Sequence, residues 1–305
     1  MNKIEVEIIE PYGFCLGVKQ TLEKINSLIE SDSERKIILL GSLIHNEVVI
    51  KSLQKNGVSL IEGNYNDIVS TIDCIHDKDA IYVLSAHGHY SDITNILSKH
   101  NLDYVDATCP YIKNIHNILK KINKNKKVLY IGNINHIECQ SSIKFLNKDN
   151  FYVKKDFNYG DIISNKNNLV IVNQSTYYIK DLINEYEDDL IANNVEVIDN
   201  FCPSIMLRIS NLEKKAKDFK AIIVVGSKTS SNANTIFKYC QTKLHKYVIL
   251  INDLFDLNYE YKYLSEIGGK VAIISATSAT DDLVIKIKEK LENFYLMDLK
   301  NTKNH

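Results

Sequence analysis

The stretch LDYVDATCPYIKNIHNIL at 102–119 changes character at Cys109. Its first part, LDYVDAT, has the β-branched and aromatic content of a strand, whereas the part after Pro110 is an amphipathic, lysine-bearing run. A strand feeding directly into a helix is the expected reading. Proline in the first helical turn sacrifices no hydrogen bond, and its fixed φ suits the helix. Cys109 therefore belongs at a helix N-terminus, where the partial positive charge favours the thiolate that binds metals.

The same junction occurs twice more. IEVEIIE precedes Cys15 and VEVIDNF precedes Cys202, so the three cysteines stand about 94 and 93 residues apart. All three prolines of the chain, Pro11, Pro110 and Pro203, lie beside them. This spacing predicts three similar modules meeting at one soft-ligand site.

Working outward, short apolar runs alternate with longer amphipathic ones, the pattern of parallel α/β units with helices on both sheet faces. The clearest strands are KIILLG (36–41), AIYVLSA (80–86), KKVLYIG (126–132), NLVIVNQ (168–174), AIIVVGS (221–227), YVILIN (247–252) and KVAIIS (270–275). Strand ends repeat in phase with the cysteines. One set reads GSLIHN (41–46), GNINHIE (132–138) and GSKTSSN (226–232); the other reads SAHG (85–88), NQST (173–176) and SATS (275–278). Any one such turn merely ends a strand, but recurrence in three modules points to ligand binding beyond the carboxyl ends of the strands. Module boundaries are expected near the cysteines, giving 15–108, 109–201 and 202–305, with strand 1–14 completing the last module's sheet.

Composition narrows the class. A chain of 305 residues with a formal net charge of −1 is not a strongly electrostatic nucleic-acid binder, while small anionic ligands remain open. No leader and no apolar run of the roughly 18 residues needed to span a bilayer is expected, so a soluble cytoplasmic protein follows. Six cysteines without dense clustering read as reduced thiols rather than a secreted disulfide scaffold.

Three thiolates from separate modules could bind zinc, although structural zinc sites generally use local pairs and four protein ligands. They also suit an iron-sulfur cluster with one iron open to substrate. Cys74 and Cys240 are expected to be buried small hydrophobes, and Cys139, beside a polar motif, mostly the same. His45, His87 and His136 occupy strand-end motifs; alone each would pass as a surface or core histidine. Together with Ser230, Ser231 and Asn232, which open a helix after AIIVVGS, they form a pocket suited to a phosphate or diphosphate. Neither a Walker A sequence nor a G-x-G-x-x-G turn supports a nucleotide. Glu138, two residues after His136, is the acidic group of the set. Its pKa is expected to rise near an apolar cluster and an anionic ligand, fitting it to deliver protons near neutral pH.

These motifs, in order GFCLGV (13–18), HNEVV (45–49), SAHG, DATCP (106–110), HIE (136–138), NQST, GSKTSSN and SATSATD (275–281), resemble the LytB-type 4-hydroxy-3-methylbut-2-enyl diphosphate reductases along essentially the whole chain. The resemblance implies three α/β modules in pseudo-threefold array around a 4Fe-4S cluster on Cys15, Cys109 and Cys202. It implies that His45, His87, His136, Ser230, Asn232 and Ser278 hold the diphosphate of a small allylic substrate, with Ser231 lining that pocket. Glu138 would deliver protons, and Ser175, where the family usually has threonine, would bond the substrate hydroxyl. The implied reaction is reductive dehydroxylation to isopentenyl and dimethylallyl diphosphate, the last step of the non-mevalonate isoprenoid pathway. A one-electron donor such as ferredoxin or flavodoxin is implied, with neither nucleic acid nor membrane as partner. Departures fall at Ile205 and Ile209, near the retained Arg208, and at Ala276 and Thr280, where glycine and proline are usual. The alternatives are a non-catalytic iron-sulfur sensor and a metal-free or zinc-dependent phosphate-ester hydrolase.

Overall fold

The computed structural model describes residues 4–31, 34–41, 46–63, 65–90 and 92–302. Its strands are β1 (Ile4–Ile8), β2 (Lys36–Leu40), β3 (Val58–Ile61), β4 (Ala80–Leu84), β5 (Asp103–Asp106), β6 (Lys127–Ile131), β7 (Phe151–Lys154), β8 (Leu169–Asn173), β9 (Glu196–Ile198), β10 (Ala221–Val225), β11 (Tyr247–Ile251) and β12 (Gly269–Ser275). They form three four-stranded parallel sheets, ordered β3-β2-β4-β5, β7-β6-β8-β9 and β11-β10-β12-β1. The order is the same in all three. In each, the outer strand beyond the third is the one that leads into a cysteine, and β1 fills that place beside β12.

The chain divides into two compact units, Met1–Leu16 with Pro203–His305, and Gly17–Cys202. The first contains the sheet of β1 and β10–β12; the second contains the other two. The central strands β4, β8 and β10 are buried along their full length, as helices on both faces require. In the first unit, Ile223, Val225, Ile249, Ile273, Val284 and Leu291 belong to one core. Gly226 permits close approach there: a Cβ would stand 2.7 Å from that of Ala276 and 2.9 Å from that of Ala233.

Ala276 fills its turn without entering the positive-φ region, so glycine is not required at this position. Thr280 takes over helix initiation: its Oγ1 accepts from Leu283 N at 3.2 Å, and its carbonyl accepts from Val284 N at 3.3 Å. Ile205 and Ile209 are buried on the inner face of the helix Pro203–Glu213. Cys74 corrects the expectation of burial. It lies on the exposed face of the helix Tyr65–Ile75, whose inner face is taken by Ile68 and Ile72.

Candidate active site

Register aligns the site residues of the three sheets. Leu40, Ile131 and Val225 end their strands opposite Leu84, Asn173 and Ser275. Two residues beyond these partners stand Ala86, Ser175 and Thr277, and their carbonyls accept the backbone N–H of Cys109 (2.9 Å), Cys202 (2.8 Å) and Cys15 (3.2 Å). Every candidate ligand cysteine is thus hung from the same backbone position. The next residues are His87, Thr176 and Ser278. SAHG is therefore one residue out of step with NQST and SATS; the matching segment is LSAH (84–87).

The first strands of the sheets supply the other station. Gly41, Gly132 and Gly226 follow them, and four residues on come His45, His136 and Ser230. His45 lies outside the described residues. Six residues on come Glu47, Glu138 and Asn232.

Glu138 is only 1% exposed. Ser175 N donates to its Oε1 at 2.6 Å and Ser175 Oγ to its Oε2 at 2.8 Å. Burial pushes the carboxyl up to about 7, while the two Ser175 donors hold it back from rising further. Because the Ser175 carbonyl also accepts from Cys202 N, one residue links the proton-holding group to a candidate metal ligand.

His136 caps the helix Ile137–Ile143, its Nδ1 accepting from Glu138 N at 3.2 Å. An accepting Nδ1 places the proton of the neutral ring on Nε2, which makes that atom the ring's donor. The His87 ring lies edge-on to it, 5.9 Å between centroids. Both border a cavity of about 450 Å³ within the second unit, together with Ser85, Tyr90, Asn135 and Gln140. Sequence reasoning missed Tyr90 and Gln140; one lies just beyond SAHG and the other a half-turn beyond HIE, so extending the motifs would have reached them.

In the first unit, Ser230 caps the helix Ser231–Thr242, its Oγ accepting from Ala233 N at 3.4 Å. The hydroxyl proton stays available to an anion, next to the N–H groups of the first turn. Asn232 bonds Thr277 across the same sheet end, and Ser278 is buried one residue further on. The loop before Cys15 is tied down by Gly13 N to Ser275 Oγ (3.0 Å) and by the fully buried Arg208. Its Nη2 donates to Gly13 O at 2.6 Å, and its Nη1 to Ser275 O and Oγ, both at 2.7 Å, and to Ala276 O at 3.0 Å.

The thiols divide by environment. Cys15, Cys109 and Cys202 are half-buried thiols outside any disulfide among the described residues. Cys139 and Cys240 are buried, and desolvation pushes each thiol up to about 12, which disfavours the ligating thiolate. Each of the three stands on an equivalent backbone anchor as a half-buried soft donor of the kind that binds iron-sulfur groups, which the two buried thiols are not. Asp73, His76 and His100 form a group of metal-type donors among the described residues, with the two histidine rings 4.0 Å apart, and both histidines precede the amino ends of β4 and β5 rather than following a strand's carboxyl end.

Fold and site together define a parallel α/β protein with half-buried thiols just beyond its strand ends and a buried carboxyl that desolvation raises to about 7. Comparison makes this specific: the LytB protein family model matches residues 6–292, and the chain belongs to that family. The 4-hydroxy-3-methylbut-2-enyl diphosphate reductase of Wolbachia pipientis wMel is 28% identical over 295 residues, covering 95% of this chain and 92% of the relative. That of Dictyoglomus thermophilum is 28% identical, covering 96% and 98%. The solved E-1-hydroxy-2-methyl-but-2-enyl-4-diphosphate reductase from Plasmodium falciparum superposes with a TM-score of 0.79 at 27% identity, covering 94% of this chain and 87% of that one. Among the described residues no helix is long and apolar enough to cross a membrane.

Proposed function

We propose that this chain reduces 4-hydroxy-3-methylbut-2-enyl diphosphate to isopentenyl and dimethylallyl diphosphate, the terminal step of the non-mevalonate pathway. The observation that carries the reading is Glu138, a fully buried carboxyl held at about 7 and joined through Ser175 to Cys202. A sensor without turnover has no use for such a proton donor. In the balanced reaction two electrons and two protons enter, the allylic C–O bond breaks, and one water leaves.

Cys15, Cys109 and Cys202 would hold the 4Fe-4S cluster, which supplies single-electron transfer and Lewis acidity at the substrate hydroxyl. The protein's own residues do the rest. His45, His87 and His136 with Ser230, Ser231, Asn232 and Ser278 bind the diphosphate through neutral or cationic donors and so fix the position of the far hydroxyl. Ser175 orients that hydroxyl, and Glu138 gives up its proton as the C–O bond opens. Module boundaries at 15–108, 109–201 and 202–305, with 1–14 in the last sheet, fit the three cysteine anchors. A one-electron carrier such as ferredoxin or flavodoxin would deliver the electrons, in the cytoplasm.

The test is substrate-dependent oxidation of reduced methyl viologen by anaerobically reconstituted protein of known iron and sulfide content. Turnover that disappears in Cys109→Ser supports the proposal. A full cluster with no turnover overturns it in favour of a sensor.

A further inference from the structure

We infer that Thr277 is a positioning residue: its hydroxyl sets the amide of Asn232 with the NH2 group facing the substrate diphosphate, while its carbonyl holds Cys15. The inference rests on the proposed diphosphate reductase activity. Thr277 is buried at 3% exposure in the loop after β12. Its carbonyl accepts Cys15 N at 3.2 Å, and its Oγ1 lies 2.7 Å from Asn232 Nδ2.

With the amide in this orientation, Asn232 Oδ1 is a buried acceptor with no hydrogen-bond partner among the described residues. In this orientation the Thr277 hydroxyl meets Asn232 only as an acceptor, so its own proton takes no part in the contact. A half-turn of the amide exchanges these for a pair of buried N–H donors, which an anionic ligand can satisfy. Oδ1 then accepts the Thr277 proton across the same 2.7 Å contact, and the two N–H donors take the place of the orphaned oxygen. Asn232 lies in the first turn of the helix Ser231–Thr242, beside the Ser230 cap, so its donors add to the free N–H groups that favour an anion. A lone-pair oxygen aimed at a diphosphate would repel it. The hydroxyl of Thr277 both accepts and donates, so it holds the amide in the orientation that the anion selects, satisfying Oδ1 by donating.

The test uses the cluster-reconstituted protein, with inorganic pyrophosphate titrated calorimetrically and steady-state kinetics measured alongside. Thr277→Val, which keeps shape and the carbonyl, should weaken pyrophosphate about tenfold and raise KM similarly, the worth of roughly one hydrogen bond to a charged ligand. Its iron content and kcat should stay near those of the parent. Thr277→Ser should restore affinity, and Asn232→Asp, which can accept from Thr277 but offers no N–H, should lose it. Unchanged affinity in Thr277→Val, or retained affinity in Asn232→Asp, overturns the inference while a turning-over parent leaves the reductase reading intact. A parent protein that neither binds pyrophosphate nor turns over overturns the reductase reading and the inference with it.

Discussion

The sheet end that holds Glu138 and Ser175 and the one that holds Asn232 and Thr277 are built at the same two stations of the same topology. In both, a side chain six residues past the first strand's glycine bonds a hydroxyl two residues past the third strand, at 2.8 Å and 2.7 Å. In both, the hydroxyl residue's carbonyl holds a cysteine N–H. Even the residue two before the cysteine is held alike: Asn200 N donates to Asn173 Oδ1 at 2.7 Å, and Gly13 N to Ser275 Oγ at 3.0 Å. The difference is one functional group. A carboxyl at the first station can hold and release a proton near neutral pH, whereas an amide there does not titrate and offers only a fixed acceptor and fixed donors. The remaining sheet shows the pairing lapse: Ala86 has no hydroxyl, and the Glu47 side chain is 91% exposed beside Lys51.

The largest effect should come from the cysteines that both sheet ends anchor. Cys202→Ala and Cys15→Ala should each lose bound iron and all turnover, whereas Cys240→Ala keeps both; iron, sulfide and viologen assays decide it. If one of the two anchored cysteines proves dispensable for iron, the equivalence of the two sheet ends breaks.

Glu138→Gln converts the acid station into an amide station like that of Asn232. The rate should fall by about 10²–10⁴, the usual worth of a general acid, with iron content and pyrophosphate affinity kept. Stability responds too. The fold raises this carboxyl from 4.5 to about 7, so its contribution is complete below the unfolded value and is lost as pH climbs through about 7. Denaturation across pH 4.5–8 should show that decline in the parent and a flatter curve in the variant.

The repeat was legible in the sequence because parallel strands buried on both faces are written as unbroken apolar runs, and all seven such runs are strands. The short strands β3 and β7 were not, since as half-exposed edge strands they carry VSLI and FYVK without a clear pattern. Among site residues, Glu138 was readable from HIE and its raised pKa from its apolar setting. Thr277 was not, because its part depends on which atoms meet across 45 residues of chain. The same holds for Arg208, whose burial under the Cys15 loop no helical periodicity announces.

Arg208 marks a second difference between the two sheet ends. The loop before Cys202 is held by the amide of Asn173, which also donates to Tyr177 O at 2.7 Å, whereas the loop before Cys15 depends on a buried guanidinium. Arg208→Met should leave three buried carbonyls short of donors and cost about 2–5 kcal/mol. Thermal denaturation of the apo-protein measures it. A loss below about 1 kcal/mol would mean that the Ser275 and Thr277 bonds alone fix the Cys15 loop.

The finest test concerns the hydroxyl of Ser175. Its backbone N–H and its Oγ both lower the Glu138 pKa against the opposing push of burial. Ser175→Ala removes only the Oγ donor, so the carboxyl should titrate higher, by roughly half a unit for one hydrogen bond's worth of bias. Glu138 acts in its protonated form, so activity falls as pH rises through its pKa. The falling limb of kcat against pH should therefore move to higher pH in Ser175→Ala, even as the rate drops from poorer orientation of the substrate hydroxyl. Ser175→Thr should return the limb to the parent position. A limb that moves to lower pH would mean the serine hydroxyl stabilises the protonated acid instead, and the Glu138 end would then work less like its Asn232 counterpart than their matching distances indicate.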